Sequence, residues 1–223
     1  MSSQLVANSK IILQFLKMAI NEQENFYGPV FPRMISKYAT EFEAKKINDQ
    51  APPSTETLDQ STNYIIEHDR EYPNGFSALA YGIAKAEKML QGGIGSGART
   101  TAKEAMKRVS EKVGTAALYG KITNTTEAWK KIIEFAAKTH IQVGTAKMTG
   151  DGDYILGRFE ECLYSDACRT MAEEGIHAVG GKVDCIIGKT DSITIEVVTK
   201  SSHDYELVEF HPPSCTLRIF KIQ

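Results

Sequence analysis

Residues 142–162, with the sequence QVGTAKMTGDGDYILGRFEEC, mark the point where the chain changes from a helical to an extended pattern. Two runs without helical periodicity, residues 142–149 and 154–162, flank the pair Asp151-Gly152. This pair favours a tight turn because glycine tolerates the positive φ that hairpin turns require. The stretch therefore predicts a β-hairpin.

Upstream of this hairpin, apolar residues recur at helical spacing, as they do at Ile12, Leu16 and Ile20. Asn124 and Glu127 form a capping-box pattern, which predicts the start of the last helix before the hairpin. Stretches rich in glycine, proline or other turn residues separate the helical segments, and they lie at residues 28–29, 48–54, 73–75 and 92–97.

Downstream of the hairpin, Ser165 opens one further helical segment, and alternating apolar residues then predict several strands. Because the connections are short, the strands should pair antiparallel. We therefore predict an α+β fold, in which N-terminal helices pack on a C-terminal antiparallel sheet with one inserted helix. The four later strands are predicted near residues 183–187, 193–199, 205–210 and 215–222, with a turn at 211–214.

The change of pattern also suggests a division of the chain into domains. We expect a helical N-terminal region at residues 1–122 and an α+β ligand-binding domain at residues 123–223. The length is equally compatible with one compact domain overall.

Charge and hydropathy limit the possible partners and the compartment. The formal net charge is −2, and residues 141–223 hold 8 Lys and Arg against 13 Asp and Glu, so we expect no nucleic-acid binding. No apolar run is long enough to predict a membrane span. The first residues, MSSQLVANSK, lack the basic flank and apolar core of a signal peptide, so we expect a cytoplasmic protein.

All four cysteines lie in the C-terminal part, without a C-x-x-C pair. Strand ends can converge in space, so Cys162, Cys185 and Cys215 could together hold a soft metal such as zinc, or contact a ligand. Two other interpretations stay open: buried cysteine packs as a small apolar side chain, and a thiolate can act as a nucleophile.

Three aromatic residues accompany these cysteines in the chain: Trp129, Phe159 and Tyr164. Aromatic side chains at such positions are more often part of the core than of a binding site. The alternative is that they line a ligand pocket, since small-molecule sites are mostly apolar with a few polar anchors.

The C-terminal half carries a pattern of strand, helix and cysteine. It consists of residues 161–168 (ECLYSDAC), 183–187 (VDCII), 205–210 (YELVEF) and 214–220 (SCTLRIF). This order resembles the 4-vinyl-reductase-like small-molecule-binding domains and the L-2-amino-thiazoline-4-carboxylic acid hydrolase family. The resemblance covers roughly residues 125–223, and its matched positions are Cys162, Cys185 and Cys215.

The resemblance and the cysteine placement together yield three functional hypotheses. The first is a binding protein for a small hydrophobic molecule, with a sensory or carrier role. The second is a hydrolase of a small cyclic or amide substrate, in which a thiol or carboxylate activates the attack. The third is an interaction scaffold whose helices form a homodimer.

Overall fold

The computed structural model describes residues 3–68, 73–94, 98–115, 117, 120, 122–138, 145–160, 162–176 and 185–222. Within these ranges the chain forms eight helices and one four-stranded antiparallel sheet whose strands all lie in the C-terminal part. The predicted α+β class is confirmed. None of the described helices combines the length and the apolar character needed to cross a membrane.

Six of the helices in the described residues precede the first strand. They are α1 (Ser3–Tyr27), α2 (Val30–Ile47), α3 (Leu58–His68), α4 (Pro73–Ile94), α5 (Ala98–Lys112) and α6 (Thr125–Lys138). The remaining elements are two strands, two helices and two further strands. They are β1 (Thr145–Asp151), β2 (Tyr154–Glu160), α7 (Ser165–Glu173), α8 (Ile186–Thr199), β3 (His203–His211) and β4 (Ser214–Lys221).

The chain divides into two compact units. The sheet unit comprises Met1–Ile12, Lys103–Cys162 and Cys185–Gln223, and the helical unit comprises Leu13–Ala102 and Leu163–Asp184. These units do not coincide with the predicted division between residues 122 and 123. The segment that carries α7 groups with the earlier helices because α7 packs on α4.

Close packing of α2 against α4 organises the helical unit. Gly82 permits this approach, because a Cβ atom there would lie 2.8 Å from the carbonyl oxygen of Ile35 and 3.3 Å from the Cβ of Ala39. Ile35 and Ala39 are completely buried at this crossing. The helix pair is thus held at a separation that only glycine allows.

Polar contacts join α7 to α4 in the same unit. The Ser77 hydroxyl donates to the carbonyl oxygen of Leu163 (3.1 Å) and accepts from the backbone N–H of Ala167 (3.2 Å). One turn further along α4, the Tyr81 hydroxyl donates to Glu174 Oε2 at 2.6 Å. Burial and this hydrogen bond raise the pKa of Tyr81 to about 12, so its hydroxyl stays a donor at neutral pH.

The sheet has the strand order β1-β2-β4-β3, so both predicted hairpins are present and the second lies against the first. Asp151 pairs with Tyr154 across a two-residue turn in which Gly152 has a φ of 58°. This is the positive φ that the sequence predicts for the first hairpin. Pro212 and Pro213 form the turn between β3 and β4, also as predicted.

Helices α6 and α8 cover one face of the sheet. Alternate residues of β2, β3 and β4 point toward them, which gives the unit its apolar core. In β2 and β4, the residues buried on this face are Ile155, Gly157, Phe159, Leu217 and Ile219.

One predicted strand is wrong. Residues 193–199 form the second half of helix α8, so at least two helices, rather than the one predicted, lie in the described residues between β2 and β3. Ile193, Ile195 and Val197 are all buried in α8, although alternate residues lie on different sides of a helix. Burial on several sides therefore produced an alternating apolar pattern that imitates a strand.

Element boundaries differ at other places too. Helix α4 begins at Pro73 and continues to Ile94, so it includes residues 73–75 as well as Gly92 and Gly93, where breaks are predicted. The predicted strand at residues 183–187 falls partly outside the described residues, and its last two residues open α8. The first three residues of the strand predicted at 142–149 also lie outside them.

Candidate ligand-binding cleft

The three predicted cysteine ligands occupy different local settings in the sheet unit. The backbone N–H of Cys162 donates to the carbonyl oxygen of Pro213 (3.2 Å), and Cys215 stands opposite Phe159 in the β2–β4 ladder. Cys162 and Cys215 therefore lie toward the same end of the sheet. Cys185 instead caps α8, where its sulfur accepts from the backbone N–H of Gly188 at 3.4 Å.

A metal centre at these cysteines has no support. Among the residues that the structure describes, which include all three cysteines, no group of three or more His, Cys, Asp or Glu side chains could hold a metal ion. The capping role of the Cys185 sulfur accounts for its position without a metal. Burial also raises the pKa of Cys215, so without a metal its thiol stays neutral at pH 7.

The predicted aromatic residues pack as core side chains. Trp129 and Phe159 are 0% and 1% exposed, and their rings meet edge to face with centroids 5.9 Å apart. Gly157 brings the backbone of β2 close to the Trp129 ring, which leaves no room for a ligand there. Tyr164 belongs to the helical unit, where it is also buried.

A half-buried aspartate, which sequence reasoning missed, adjoins this aromatic pair. The indole N–H of Trp129 donates to Asp191 Oδ2 at 2.8 Å. Burial raises the pKa of Asp191 to about 7, although the indole hydrogen bond acts in the opposite direction. This carboxyl group therefore changes its charge near neutral pH.

A half-open cleft of about 440 Å³ lies elsewhere in the sheet unit, where α5 and α8 end. Gly114, with a φ of 70°, follows the end of α5, and Lys200, with a φ of 56°, caps α8. The lining consists mainly of charged and hydroxyl side chains. Its residues are Lys107, Glu111, Gly114, Thr115, Glu196, Val197, Lys200, Ser201 and Ser202.

Glu196 anchors one wall of the cleft. Its carboxylate pairs with Lys103 at 2.9 Å and more loosely with Lys107 at 3.7 Å. It also accepts the backbone N–H of His203 at 3.0 Å. Burial acts to raise the pKa of Glu196, but the hydrogen bonds from Lys103 and His203 outweigh it and hold this pKa below the ordinary value.

His203 supports this wall from below the surface. It is 1% exposed, its Nδ1 lies 2.6 Å from the carbonyl oxygen of Ser201, and its Nε2 lies 2.9 Å from Thr125 Oγ1. Because a carbonyl can only accept, Nδ1 carries the proton and Nε2 accepts from the Thr125 hydroxyl in the neutral ring. Burial lowers the pKa of His203, in keeping with this neutral, structural role.

We expect Lys103→Gln to destabilise the sheet unit by about 1–3 kcal/mol, because Lys103 also donates to the carbonyl oxygen of His203 at 2.5 Å. Urea unfolding of the full chain at pH 7 measures this loss. Lys37→Gln, which removes only the exposed pair with Glu41, serves as the control and should change stability by less than about 0.5 kcal/mol. Equal losses in the two variants would contradict a supporting role for Lys103.

The cleft joins parts of the chain that are far apart in sequence. Lys103 and Lys107 have the pattern of a solvated helix face, and His203 has that of a polar turn residue. The only local feature of the sequence that points to the cleft is the group of residues Lys200 to Ser202, which are charged or small and follow an apolar run.

Comparisons of this chain with family models, with curated proteins and with solved structures gave no match. The resemblance of residues 125–223 to the 4-vinyl-reductase-like domains therefore stays a prediction.

Proposed function

We propose that this protein binds a small polar molecule in the cleft between the ends of α5 and α8, with a sensory or carrier role. The observation that carries the proposal is the cleft itself, whose volume of about 440 Å³ suits a small-molecule ligand. Its walls offer ammonium, carboxylate and hydroxyl groups within one concave surface.

The chemistry of the lining favours a different ligand from the hydrophobic molecule that the sequence predicts. Val197 is the only large apolar residue among the cleft-lining residues that the structure describes. A ligand without polar groups would leave Glu111 and Lys200 unpaired, whereas a polar ligand can pair with them while its carbon skeleton contacts Val197 and the apolar lysine stems. We therefore retain small-molecule binding and replace the expected ligand by a polar one.

The other two hypotheses have less support. Thiol-dependent hydrolysis calls for an activated thiolate, whereas burial raises the pKa of Cys215 and Cys185 caps a helix. A homodimeric scaffold remains a proposal for which the described residues provide no specific observation.

Blocking the cleft tests the proposal. Ser202 is exposed at its rim and makes no side-chain hydrogen bond within the described part of the chain, so a bulky residue there should fold normally. We expect ligand-detected NMR with cationic, anionic, zwitterionic and neutral compounds of similar size to reveal binding to the unmodified protein. Ser202→Trp should weaken that binding at least tenfold.

Ser54→Trp is the matched control, because Ser54 is exposed in the loop before α3 and belongs to the helical unit. It should leave binding unchanged. The proposal fails if no compound of any charge class binds the unmodified protein, or if Ser202→Trp binds as the unmodified protein does.

A further inference from the structure

Several polar side chains of the cleft are available to a ligand. Within the described residues, Glu111 and Lys200 make no ion pair and no side-chain hydrogen bond, and the hydroxyls of Thr115 and Ser202 make no hydrogen bond. Glu111, Lys200 and Ser202 are exposed, whereas Thr115 is 6% exposed. The cleft thus presents one unpaired negative and one unpaired positive side chain, with two hydroxyls.

The other two charged side chains of the cleft, Glu196 and Lys107, form a loose ion pair. Glu196 is held by Lys103 at 2.9 Å, while Lys107 lies 3.7 Å from its second oxygen. Lys103 has a further bond to the backbone of His203, so it is the fixed partner. Lys107 has no second partner in the described residues and is therefore the lysine that can turn toward an anionic group on a ligand.

The backbone adds negative potential to the cleft, which favours a cationic group on the ligand. Helices α5 and α8 both end at the cleft, and each carboxyl-terminal end carries roughly half a negative charge that favours a nearby cation. Glu111 lies in the last turn of α5, so its carboxylate strengthens this preference. A cationic group is favoured beside Glu111, and an anionic group beside Lys107 and Lys200.

We infer that the ligand is a zwitterion, a small molecule with an ammonium group and an acidic group on one skeleton. The inference rests on the proposed function, because it concerns the same cleft. A dianion would meet Glu111 and two helix carboxyl ends, and a dication would meet Lys107 and Lys200. Only a molecule with both charges pairs with all of the available groups at once.

Three probes with the same six-carbon chain separate the charge classes. These are 6-aminohexanoate, hexanedioate and 1,6-diaminohexane, each titrated against the full chain by NMR. We expect 6-aminohexanoate to bind with a Kd of about 1–10 mM, the range of a fragment-sized ligand. The diacid and the diamine should each bind roughly tenfold more weakly, because each meets an unmatched charge.

Two variants assign the groups. Glu111→Gln should weaken 6-aminohexanoate and the diamine roughly tenfold and leave the diacid unchanged or tighter. Lys200→Gln should weaken 6-aminohexanoate and the diacid instead. Glu67→Gln and Lys46→Gln make the same charge changes at exposed sites in the helical unit and should alter none of the three affinities.

The inference is overturned if the diacid or the diamine binds as tightly as 6-aminohexanoate, or if 6-aminohexanoate does not bind. The broader compound set used with Ser202→Trp distinguishes this failure from failure of the proposed function. If other compounds bind in the cleft, only the zwitterion inference is lost. If none binds, the proposed function is lost with it.

Discussion

Gly157→Ala should destabilise the protein by about 2–3 kcal/mol, because the new methyl group has no space. A Cβ atom at this position would lie 2.4 Å from Cη2 of Trp129 and 3.3 Å from Cε2 of Phe159. Trp129 is completely buried, and its indole N–H is bonded to Asp191. The ring cannot move away without giving up both its packing and this hydrogen bond.

Urea unfolding followed by tryptophan fluorescence measures the effect, and Trp129 is the only tryptophan of the chain. A double-mutant cycle with Trp129→Phe provides the control, since phenylalanine lacks the outer ring atoms that the methyl group would meet. Circular dichroism replaces fluorescence in that background. We expect the penalty of Gly157→Ala to fall below about 1 kcal/mol there, and an unchanged penalty would contradict the explanation.

The elements that sequence reasoning located correctly are those determined by local chemistry. The first hairpin follows from Asp151-Gly152, because the positive φ of Gly152 closes the turn whatever packs around it. The second follows from Pro212 and Pro213, which cannot continue a ladder as donors. Such signals depend on a few adjacent residues, and in these two hairpins the folded chain keeps them, whereas the glycines at 92 and 93 do not end α4.

Helix α8 shows where local reasoning fails. Its β-branched residues favour a strand intrinsically, and only the surroundings of the helix explain why they do not form one. Gly188 lies so close to the Tyr205 ring that a Cβ atom would be 2.4 Å from Cδ2. This contact between α8 and β3 depends on tertiary packing, which no window of sequence contains.

The cleft was missed for a related reason. Glu196 looks like the polar residue of an alternating strand, and Lys107 looks like one of several lysines on a solvated helix. Their significance arises from their pairing across elements, together with Lys103. The cysteines, in contrast, suggested a site because they all lie in the C-terminal part of the sequence, yet Cys185 serves as a helix cap.

Asp191→Asn should make the protein more stable at pH 8 and leave its stability nearly unchanged at pH 4. Burial raises the pKa of Asp191 from 3.8 to about 7, so between these values the folded state binds more protons than the unfolded state. The free energy of unfolding attributable to this group therefore falls as pH rises from about 4 to 7. Asparagine cannot ionise, and its carbonyl oxygen can still accept from Trp129.

The stability difference between Asp191→Asn and the unmodified protein should therefore grow through this window to about 4 kcal/mol and then level off. Chemical unfolding at a series of pH values from 4 to 8 measures it. His203 acts in the opposite direction, because burial lowers its pKa and so weakens folding as pH falls. Since both proteins contain His203, the difference between them isolates Asp191.

The matched control is Asp153→Asn, which makes the same chemical change at an exposed position in the first hairpin turn. It should leave the pH profile of stability unchanged. If Asp191→Asn also follows the unmodified profile, the carboxyl group is ionised throughout and Trp129 is bonded to a carboxylate. If the difference appears as predicted, the Asp191 carboxyl group is partly protonated at neutral pH while it accepts the indole N–H of Trp129, and its ionisation at higher pH destabilises this core.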